Sequence, residues 1–252
     1  MDRSYHIGLN DSHGAKYAIL PGDPGRVEKI ARYLENPKYL NTNREYTTWI
    51  GELEGEKVLV MSTGMGGPST AIGVEELFMT GVNTFIRIGT CGGMQLQIKS
   101  GDIVVANGAI RVEGTSKEYV PIEYPAISNF EVTTALVHAC KKLNKTFHTG
   151  VVHCKDSFYG QHNPNRMPVS YQLNNQWDAW MKAGCLASEM ESAALFTVSS
   201  VLGARAGCVL SVIWNQEREK QGLENSKNYD TSDGIRIAIE AIRLLIKNEK
   251  IS

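Results

Sequence analysis

The sequence lacks the features that mark membrane, secreted and nucleic-acid-binding proteins. No window of its 252 residues approaches the roughly 18 consecutive apolar residues of a membrane span. Its first residues have no apolar segment of the kind found in a signal peptide. The 26 Lys and Arg residues balance the 27 Asp and Glu residues, so no charge excess favours nucleic acid or an anionic membrane. We therefore expect a small-molecule partner and a location in the cytoplasm.

Cysteine and histidine patterns give no support for a disulfide framework or a metal site. The cysteines are odd in number, widely spaced and without a C-x-x-C pair, so we expect reduced and mostly buried thiols. The six histidines show neither H-x-x-x-H nor H-E-x-x-H spacing, so they do not predict a metal site. The cysteines are Cys91, Cys140, Cys154, Cys185 and Cys208.

Short apolar runs alternate with helical periodicities along the whole chain, with glycines between them. This alternation predicts one α/β domain over residues 1–252, with a central mixed, mostly parallel sheet flanked by helices on both faces. Residues 57–62 and 84–89 are expected to pair in parallel across a helix. The ligand site is expected beyond the carboxyl ends of the strands. Strands are predicted at 16–21, 57–62, 84–89, 102–112, 149–154 and 207–214, and helices around Val27, Ala71, Val132, Met190 and Ile235.

The first predicted strand is followed by a candidate anion site. Asp23 suits a helix N-cap and Pro24 suits the first helical position. The free backbone N–H groups of such a helix start favour phosphate or carboxylate, and Arg26 adds a guanidinium. A capped helix with a solvated arginine explains the same segment, so both interpretations remain open.

Arg87 lies near the end of an otherwise apolar strand, where a buried guanidinium needs an anionic partner. A structural carboxylate and a bound phosphate satisfy it equally well. The preceding glycine-rich turn, residues 63–68, lets a backbone approach a ligand closely. It matches neither a Walker A loop nor G-x-G-x-x-G, which gives little support for a dinucleotide site.

The segment Gly89 to Gly93 matches a nucleophile elbow with Cys91 in the serine position. An elbow must turn directly into a helix, whereas here a short stretch leads to a turn before another strand. A thiol hydrolase is therefore a minor alternative.

Ser188 and Glu191 have the spacing of a capping box, which predicts a helix beginning at Ser188. The same pattern recurs at Ser128 and Glu131, where nothing suggests chemistry. Capping leaves a second carboxylate, Glu189, unexplained. A lone histidine near the N-terminus, His6, is by default a surface residue.

Taken together and in order, these segments resemble the nucleoside phosphorylase family that includes uridine phosphorylases and hexameric purine nucleoside phosphorylases. The resemblance spans nearly the whole chain, and its details favour the uridine subgroup. The segments that carry it are Pro21 to Pro24, Arg26, Asn43 to Tyr46, Gly64 to Thr70, Arg87 to Thr90, Phe158 to Gln161 and Glu189 to Glu191.

The resemblance implies reversible phosphorolysis of uridine to uracil and ribose 1-phosphate, with phosphate as co-substrate and no required cofactor. It implies a homo-oligomer, a dimer-based hexamer, in which His6 and Arg44 reach a neighbour's site. A potassium ion at a dimer interface is also implied, with Glu45, Ser69 and the Met65 carbonyl as ligands. The implied phosphate residues are Gly22, Arg26, Arg44, Arg87 and Thr90; the ribose residues are His6, Thr90, Met190 and Glu191; the base residues are Gly92, Phe158, Gln161, Asn163 and Gln216; the catalytic residues are Arg87, Glu191 and Gln161.

The chain departs from the family pattern in the base site. Asn163 and Gln216 stand where uridine-cleaving members carry arginines that contact the base. His162, Asn163 or Arg166 can each donate to a base carbonyl. Purine-cleaving members carry an aspartate after the last strand, and here Trp214, Asn215 and Gln216 occupy that segment. The alternatives are a phosphorylase of altered base preference, a nucleosidase and a non-catalytic nucleoside-binding protein.

Overall fold

A computed structural model describes residues 3–251, in which strands and helices alternate along the chain. The strands are β1 (Tyr17–Pro21), β2 (Glu35–Asn43), β3 (Tyr46–Leu53), β4 (Glu56–Met61), β5 (Thr84–Gly93), β6 (Ile103–Val112), β7 (Ala126–Ile127), β8 (Phe147–Lys155), β9 (Ala187–Glu189) and β10 (Arg205–Asn215). The α-helices are α1 (Val27–Ala31), α2 (Gly67–Met79), α3 (Thr115–Tyr119), α4 (Phe130–Lys142), α5 (Phe158–His162), α6 (Ser170–Lys182), α7 (Ser192–Val201), α8 (Gln216–Lys220) and α9 (Ser232–Ile251).

The strands form one mixed sheet in the order β10-β6-β8-β9-β5-β1-β4-β3-β2, and β7 pairs with β6. Because β10 also pairs with β5, the strands β5, β10, β6, β8 and β9 close into a ring. Strand β5 pairs with β1 and β10 in parallel and with β9 in antiparallel orientation. The ring therefore brings the ends of β5, β8 and β9 together.

Alternating residues of the central strands face two separate cores, as a sheet covered on both sides requires. In β1, Ala18 and Leu20 belong to one core and Tyr17 and Ile19 to the other. Helices α2 and α7 cover the first face, whereas α1, α4 and α9 cover the second. The predicted α/β architecture is confirmed.

The predicted strands all form, but one pairing differs. β4 and β5 are parallel and lie on opposite sides of β1, so they do not pair with each other as expected. The β2–β3 hairpin at the sheet edge was not predicted from the sequence. Strand β2 is polar, largely exposed and interrupted near Pro37 by a register shift, which left no apolar alternation to detect.

The S-x-x-E pattern at Ser128 and Glu131 does not form a capping box. Helix α4 begins after Asn129, whose side chain accepts a hydrogen bond from the Val132 backbone N–H at 3.1 Å. An asparagine at the N-cap serves as well as a serine, so the helix starts one residue later than the motif suggested.

All five cysteines are buried and unpaired, as predicted. Within residues 3–251, no helix combines the length and the apolar character needed to cross a membrane.

Candidate active site

The loops that follow β1 and β4 are hydrogen-bonded to each other. The Thr63 backbone N–H donates to the carbonyl of Pro21 at 2.9 Å, and Gly64 donates to Gly22 at 3.0 Å. A Cβ atom on Gly22 would lie 3.0 Å from the Gly64 carbonyl oxygen, a tight contact that favours glycine at this position. The two loops therefore form one rigid rim at the carboxyl ends of the strands.

A single 3₁₀ turn, Pro24–Arg26, follows Gly22. Asp23 is its N-cap, since its carboxylate accepts from the Gly25 N–H at 2.8 Å. Arg26 is partly buried, and its Nη1 atom is buried without a hydrogen-bond partner. Burial and the neighbouring charge of Arg87 lower the pKa of Arg26. The predicted cap at Asp23 is confirmed. The purely structural interpretation also required a solvated Arg26, whereas Arg26 is partly buried.

Arg87 lies on β5 with only 6% of its side chain exposed. Its Nε atom donates to Oε2 of Glu189 at 3.3 Å, and its Nη2 atom donates to Oε2 of Glu191. Burial alone would lower the pKa of Arg87, but the carboxylates of Glu191 and Glu189 hold it above its ordinary value. The Nη1 atom is buried and has no partner. The structural carboxylates thus satisfy two of the three guanidinium nitrogens and leave the third available.

The two glutamates have different surroundings. Glu189 ends β9 and caps α7, because its carboxylate accepts from the backbone N–H groups of Glu191 at 2.9 Å and Ser192 at 3.0 Å. Although burial favours the neutral acid, Arg87 and these hydrogen bonds lower the pKa of Glu189. Glu191 accepts from the Gly66 N–H at 2.7 Å and so joins the β4 loop to Arg87.

The capping box predicted at Ser188 is therefore wrong. Ser188 belongs to strand β9, and helix α7 starts only at Ser192. The carboxylate that caps the helix is Glu189, the residue that the motif left unexplained. Met190, expected in the helix, lies between β9 and α7 and is partly exposed.

The nucleophile elbow is not formed. Strand β5 continues through Gly93, and no helix follows it directly. Cys91 is buried, and burial together with Glu189 raises the pKa of its thiol. Its Sγ atom lies 3.8 Å from the Ser211 carbonyl. A protonated, enclosed thiol is a poor nucleophile, which removes the thiol hydrolase alternative.

The outer part of β5 carries two further residues of the implied site. Thr90 is partly exposed and is paired with Ser211 in the β5–β10 register. Gly92 is paired with Trp214 on β10 and Ser188 on β9. Both therefore follow Arg87 along the same strand, toward a neighbouring cavity.

This cavity has a volume of about 480 Å³ and lies among β8, α5, α6 and α8. Gln161 and Gln216 line it and are in contact, with Nε2 of Gln161 donating to Oε1 of Gln216 at 3.3 Å. The other side-chain partner of Gln161 is Ser188, whose hydroxyl donates to its Oε1 atom at 2.7 Å. The volume lies within the range of about 300 to 1,000 Å³ usual for small-molecule sites.

Three of the implied base residues, Gly92, Phe158 and Asn163, do not line the cavity in the described chain. Phe158 is 51% exposed and packs against His162, with ring centroids 4.3 Å apart and ring planes tilted by 40°. Asn163 is exposed and ends α5 through its backbone N–H, which donates to the Tyr159 carbonyl. Of the three donors considered from sequence, His162 alone lines the cavity.

The residues implied to act on a neighbouring subunit lie around the β2–β3 turn. Arg44 occupies the turn with a left-handed φ of 55° and is exposed. His6 is not the free surface residue expected, because its Nδ1 atom lies 2.6 Å from Oε1 of Glu76 and its side chain is 31% exposed. The Asn43 side chain donates to the His6 carbonyl at 2.7 Å, which fixes His6 beside this turn.

Three buried residues at the cavity were missed by sequence reasoning: His153 and Lys155, which line it, and Ser188, which contacts both of their side chains. They come from two strands, so no local motif unites them. The available signal was Lys155 itself, a charged residue that ends an apolar strand as Arg87 does. The same argument that singled out Arg87 applies to it.

The chain matches the model of the Phosphorylase superfamily over residues 16–245. It is 55% identical to a uridine phosphorylase of Treponema pallidum, with 98% of this chain and 96% of the relative aligned. It is 43% identical to the uridine phosphorylase of Escherichia coli, covering 96% and 98% respectively. A guanosine phosphorylase of Halorubrum lacusprofundi is 38% identical, with 85% of each chain aligned. On these matches, the chain belongs to the phosphorylase superfamily.

Proposed function

We propose that this protein is a pentosyltransferase that reversibly converts uridine and phosphate to uracil and ribose 1-phosphate. The observation that carries the proposal is the pair of buried Nη1 atoms on Arg26 and Arg87 that lack partners next to Glu191. Unpaired buried donors are costly, and phosphate oxygens are acceptors that match guanidinium groups. The uridine phosphorylases among the relatives support uridine as the nucleoside.

In the proposed reaction, a phosphate oxygen attacks C1′ of the ribose while the C1′–N bond breaks. The electron pair of that bond passes to the base, which later takes a proton from solvent. The transition state carries positive charge on the ribose, as in glycoside cleavage. Electrostatic stabilisation and positioning do most of the work, and neither a covalent enzyme intermediate nor a cofactor is required.

The named side chains have separate parts in this mechanism. Arg26, Arg87 and the backbone at Gly22 hold phosphate, together with Thr90. Glu191 holds the ribose hydroxyls beside Met190, and its negative charge faces the developing positive charge of the sugar. Its position is fixed before substrate binds, because Arg87 and the Gly66 N–H already hold its two oxygens.

We assign the base to the cavity that Gln161 and Gln216 line. The carboxamide of Gln161 offers a donor and an acceptor, which match the amide edge of uracil. Phe158 packs beside the sugar and Gly92 lets the base approach β5. Asn163 belongs to this proposed set only through its loop, since its side chain is exposed.

We propose a homo-oligomer, a dimer-based hexamer, with shared active sites. Arg44 is exposed on a fixed turn, and Met65 beside the rim is 86% exposed, which suits a surface covered by another subunit. Arg44 and His6 would then complete the neighbour's site. Two guanidinium groups face two buried glutamates within one chain, so a phosphate dianion needs a further cation such as Arg44.

The proposed dimer interface also holds a potassium ion between Glu45, Ser69 and the Met65 carbonyl. The Ser69 hydroxyl lies 3.2 Å from this carbonyl, and a Cβ on Gly64 would lie 2.9 Å from Cγ of Glu45 and 3.4 Å from Oγ of Ser69.

Thallium, which replaces potassium, is expected to give an anomalous peak among these three groups in crystals. A peak elsewhere, or none, would contradict this assignment.

We further propose that residues 1–252 form a single domain located in the cytoplasm. Five unpaired cysteines suit a compartment in which thiols stay reduced. Cell fractionation tests the location.

The first prediction is that uridine is cleaved only when phosphate is present. We expect equal amounts of uracil and ribose 1-phosphate. The absorbance change monitors the conversion of uridine to uracil, and chromatography quantifies the products. Guanosine, inosine, thymidine and adenosine are compared under the same conditions. Free ribose formed without added phosphate would indicate a nucleosidase. Faster cleavage of guanosine or inosine than of uridine would indicate a different base preference. Binding without turnover would indicate a nucleoside-binding protein.

The second prediction concerns phosphate binding by Arg26. Replacing Arg26 with Met removes one charge-assisted contact, so KM for phosphate should rise about 10- to 100-fold. KM for uridine should change much less. The matched control is Arg32→Met, because Arg32 is exposed and pairs with the exposed Glu28, four residues earlier, at 2.6 Å. Equal phosphate KM values in the two variants would contradict the assignment.

The third prediction tests whether Arg44 acts on the neighbouring subunit. Subunits carrying Arg44→Ala and subunits carrying Glu191→Gln are each expected to be nearly inactive as homo-oligomers. In a purified mixed dimer, one of the two sites would combine an intact Glu191 with an intact Arg44. Activity near half that of wild type is expected. A mixed oligomer as inactive as its parents would show that Arg44 serves its own chain.

A further inference from the structure

A lysine is buried at the end of β8, in the wall of the cavity assigned to the base. Lys155 is 6% exposed, and its ammonium donates to the Ser188 hydroxyl at 2.8 Å. Within the described chain, no carboxylate lies at ion-pairing distance from this nitrogen. A buried lysine is rarely left without a counter-charge. One hydrogen bond also leaves two ammonium protons for another acceptor.

Ser188 connects Lys155 to the residue that faces the base. The Ser188 oxygen is approached by Lys155 and by Nδ1 of His153, the latter at 2.9 Å. Burial, reinforced by the charge of Lys155, lowers the pKa of His153 to about 4, so its ring is neutral near pH 7. When both neighbours donate, the Ser188 proton is left for Oε1 of Gln161. The amide group of Gln161 is then directed away from Ser188, toward Gln216.

The other charged groups of the cavity are already engaged or exposed. Lys220 is exposed and pairs with Glu217 at 2.8 Å. Asp156 is exposed and accepts from the Gly114 N–H at 2.8 Å. Glu189, which lies on the neighbouring strand β9, already accepts hydrogen bonds from Arg87 and from the backbone at the start of α7. Lys155 is therefore the buried cation of this cavity whose ammonium group still has protons available for a ligand.

The remaining wall suits a flat heteroaromatic ring. Three indole side chains line the cavity, those of Trp177, Trp180 and Trp214. Apolar aromatic walls with one buried cation favour a planar ligand that carries a carbonyl oxygen and becomes negatively charged.

We propose that Lys155 is the cationic donor of the base subsite, where its ammonium donates to a carbonyl oxygen of the base and stabilises its negative charge as the C1′–N bond breaks. This inference rests on the proposed function. The lysine keeps its proton throughout, and the base is protonated by solvent after it leaves. Lys155 thus supplies the cation that Asn163 and Gln216 do not provide.

The test compares two neutral variants, Lys155→Met and Lys155→Gln, on uridine and 5-fluorouridine. Glutamine keeps a donor for Ser188, whereas methionine does not. If the charge acts on the base, both variants should lose about 10- to 100-fold in kcat/KM for uridine. The loss should be smaller for 5-fluorouridine, whose more acidic base needs less stabilisation. KM for phosphate should stay within about twofold of wild type, as losing one remote contact predicts.

Several outcomes would overturn the inference. Near-wild-type activity in Lys155→Gln would show that Lys155 only holds Ser188, and equal losses on both nucleosides would exclude an effect on the leaving base. A larger loss in Lys220→Met than in Lys155→Met would move the role to Lys220. Lys182→Met, at the exposed end of α6, is the matched control and should match wild type.

Assays of the wild-type protein distinguish a failure of the proposed function from a failure of this inference about Lys155. If it cleaves another nucleoside but not uridine, the same variants are compared on that nucleoside. If it cleaves none, calorimetric titration with free uracil decides, since Lys155→Met should then bind uracil at least about tenfold more weakly. Unchanged binding would reject Lys155 as a base contact.

Discussion

The buried ion pair of Arg87 with Glu191 and Glu189 is the interaction on which the arrangement of the site depends. A guanidinium in the centre of the sheet is tolerated only because two carboxylates surround it. Those carboxylates also have backbone partners: Glu189 holds the start of α7 and Glu191 holds the Gly66 loop. The same charges that stabilise Arg87 therefore fix the start of α7 and the Gly66 loop around the unpaired Nη1 atom of Arg87.

The closed ring of strands explains why distant segments meet at this point. Arg87, Thr90 and Gly92 follow one another along β5, while β8 and β9 bring Lys155 and Ser188 to its outer end. In the proposed reaction this order matches the substrate, with phosphate at Arg87, ribose in the middle and base at the cavity. One strand thus sets the spacing of the three proposed subsites.

Local physical rules made part of this structure predictable. The cap at Asp23 and the helical periodicity of α4 depend on neighbours in sequence, and the apolar strands could be recognised from composition. The capping of α7 was not predictable, because Glu189 reaches forward from a strand whose pairing is set by β5 and β8. The Lys155 and Ser188 contact likewise arises from strand pairing, which no single segment encodes.

The position of the cation in the proposed base site affects how firmly it is held. Loop residues such as Asn163 and Arg166 depend on α5 and a short 3₁₀ turn, whereas Lys155 ends a strand paired with β6 and β9. A donor on the sheet framework is placed more rigidly than one on a loop. Its burial also strengthens its interaction with an anion while disfavouring the empty site. Base recognition by Lys155 would therefore couple tighter positioning of the leaving group to a less stable unliganded pocket.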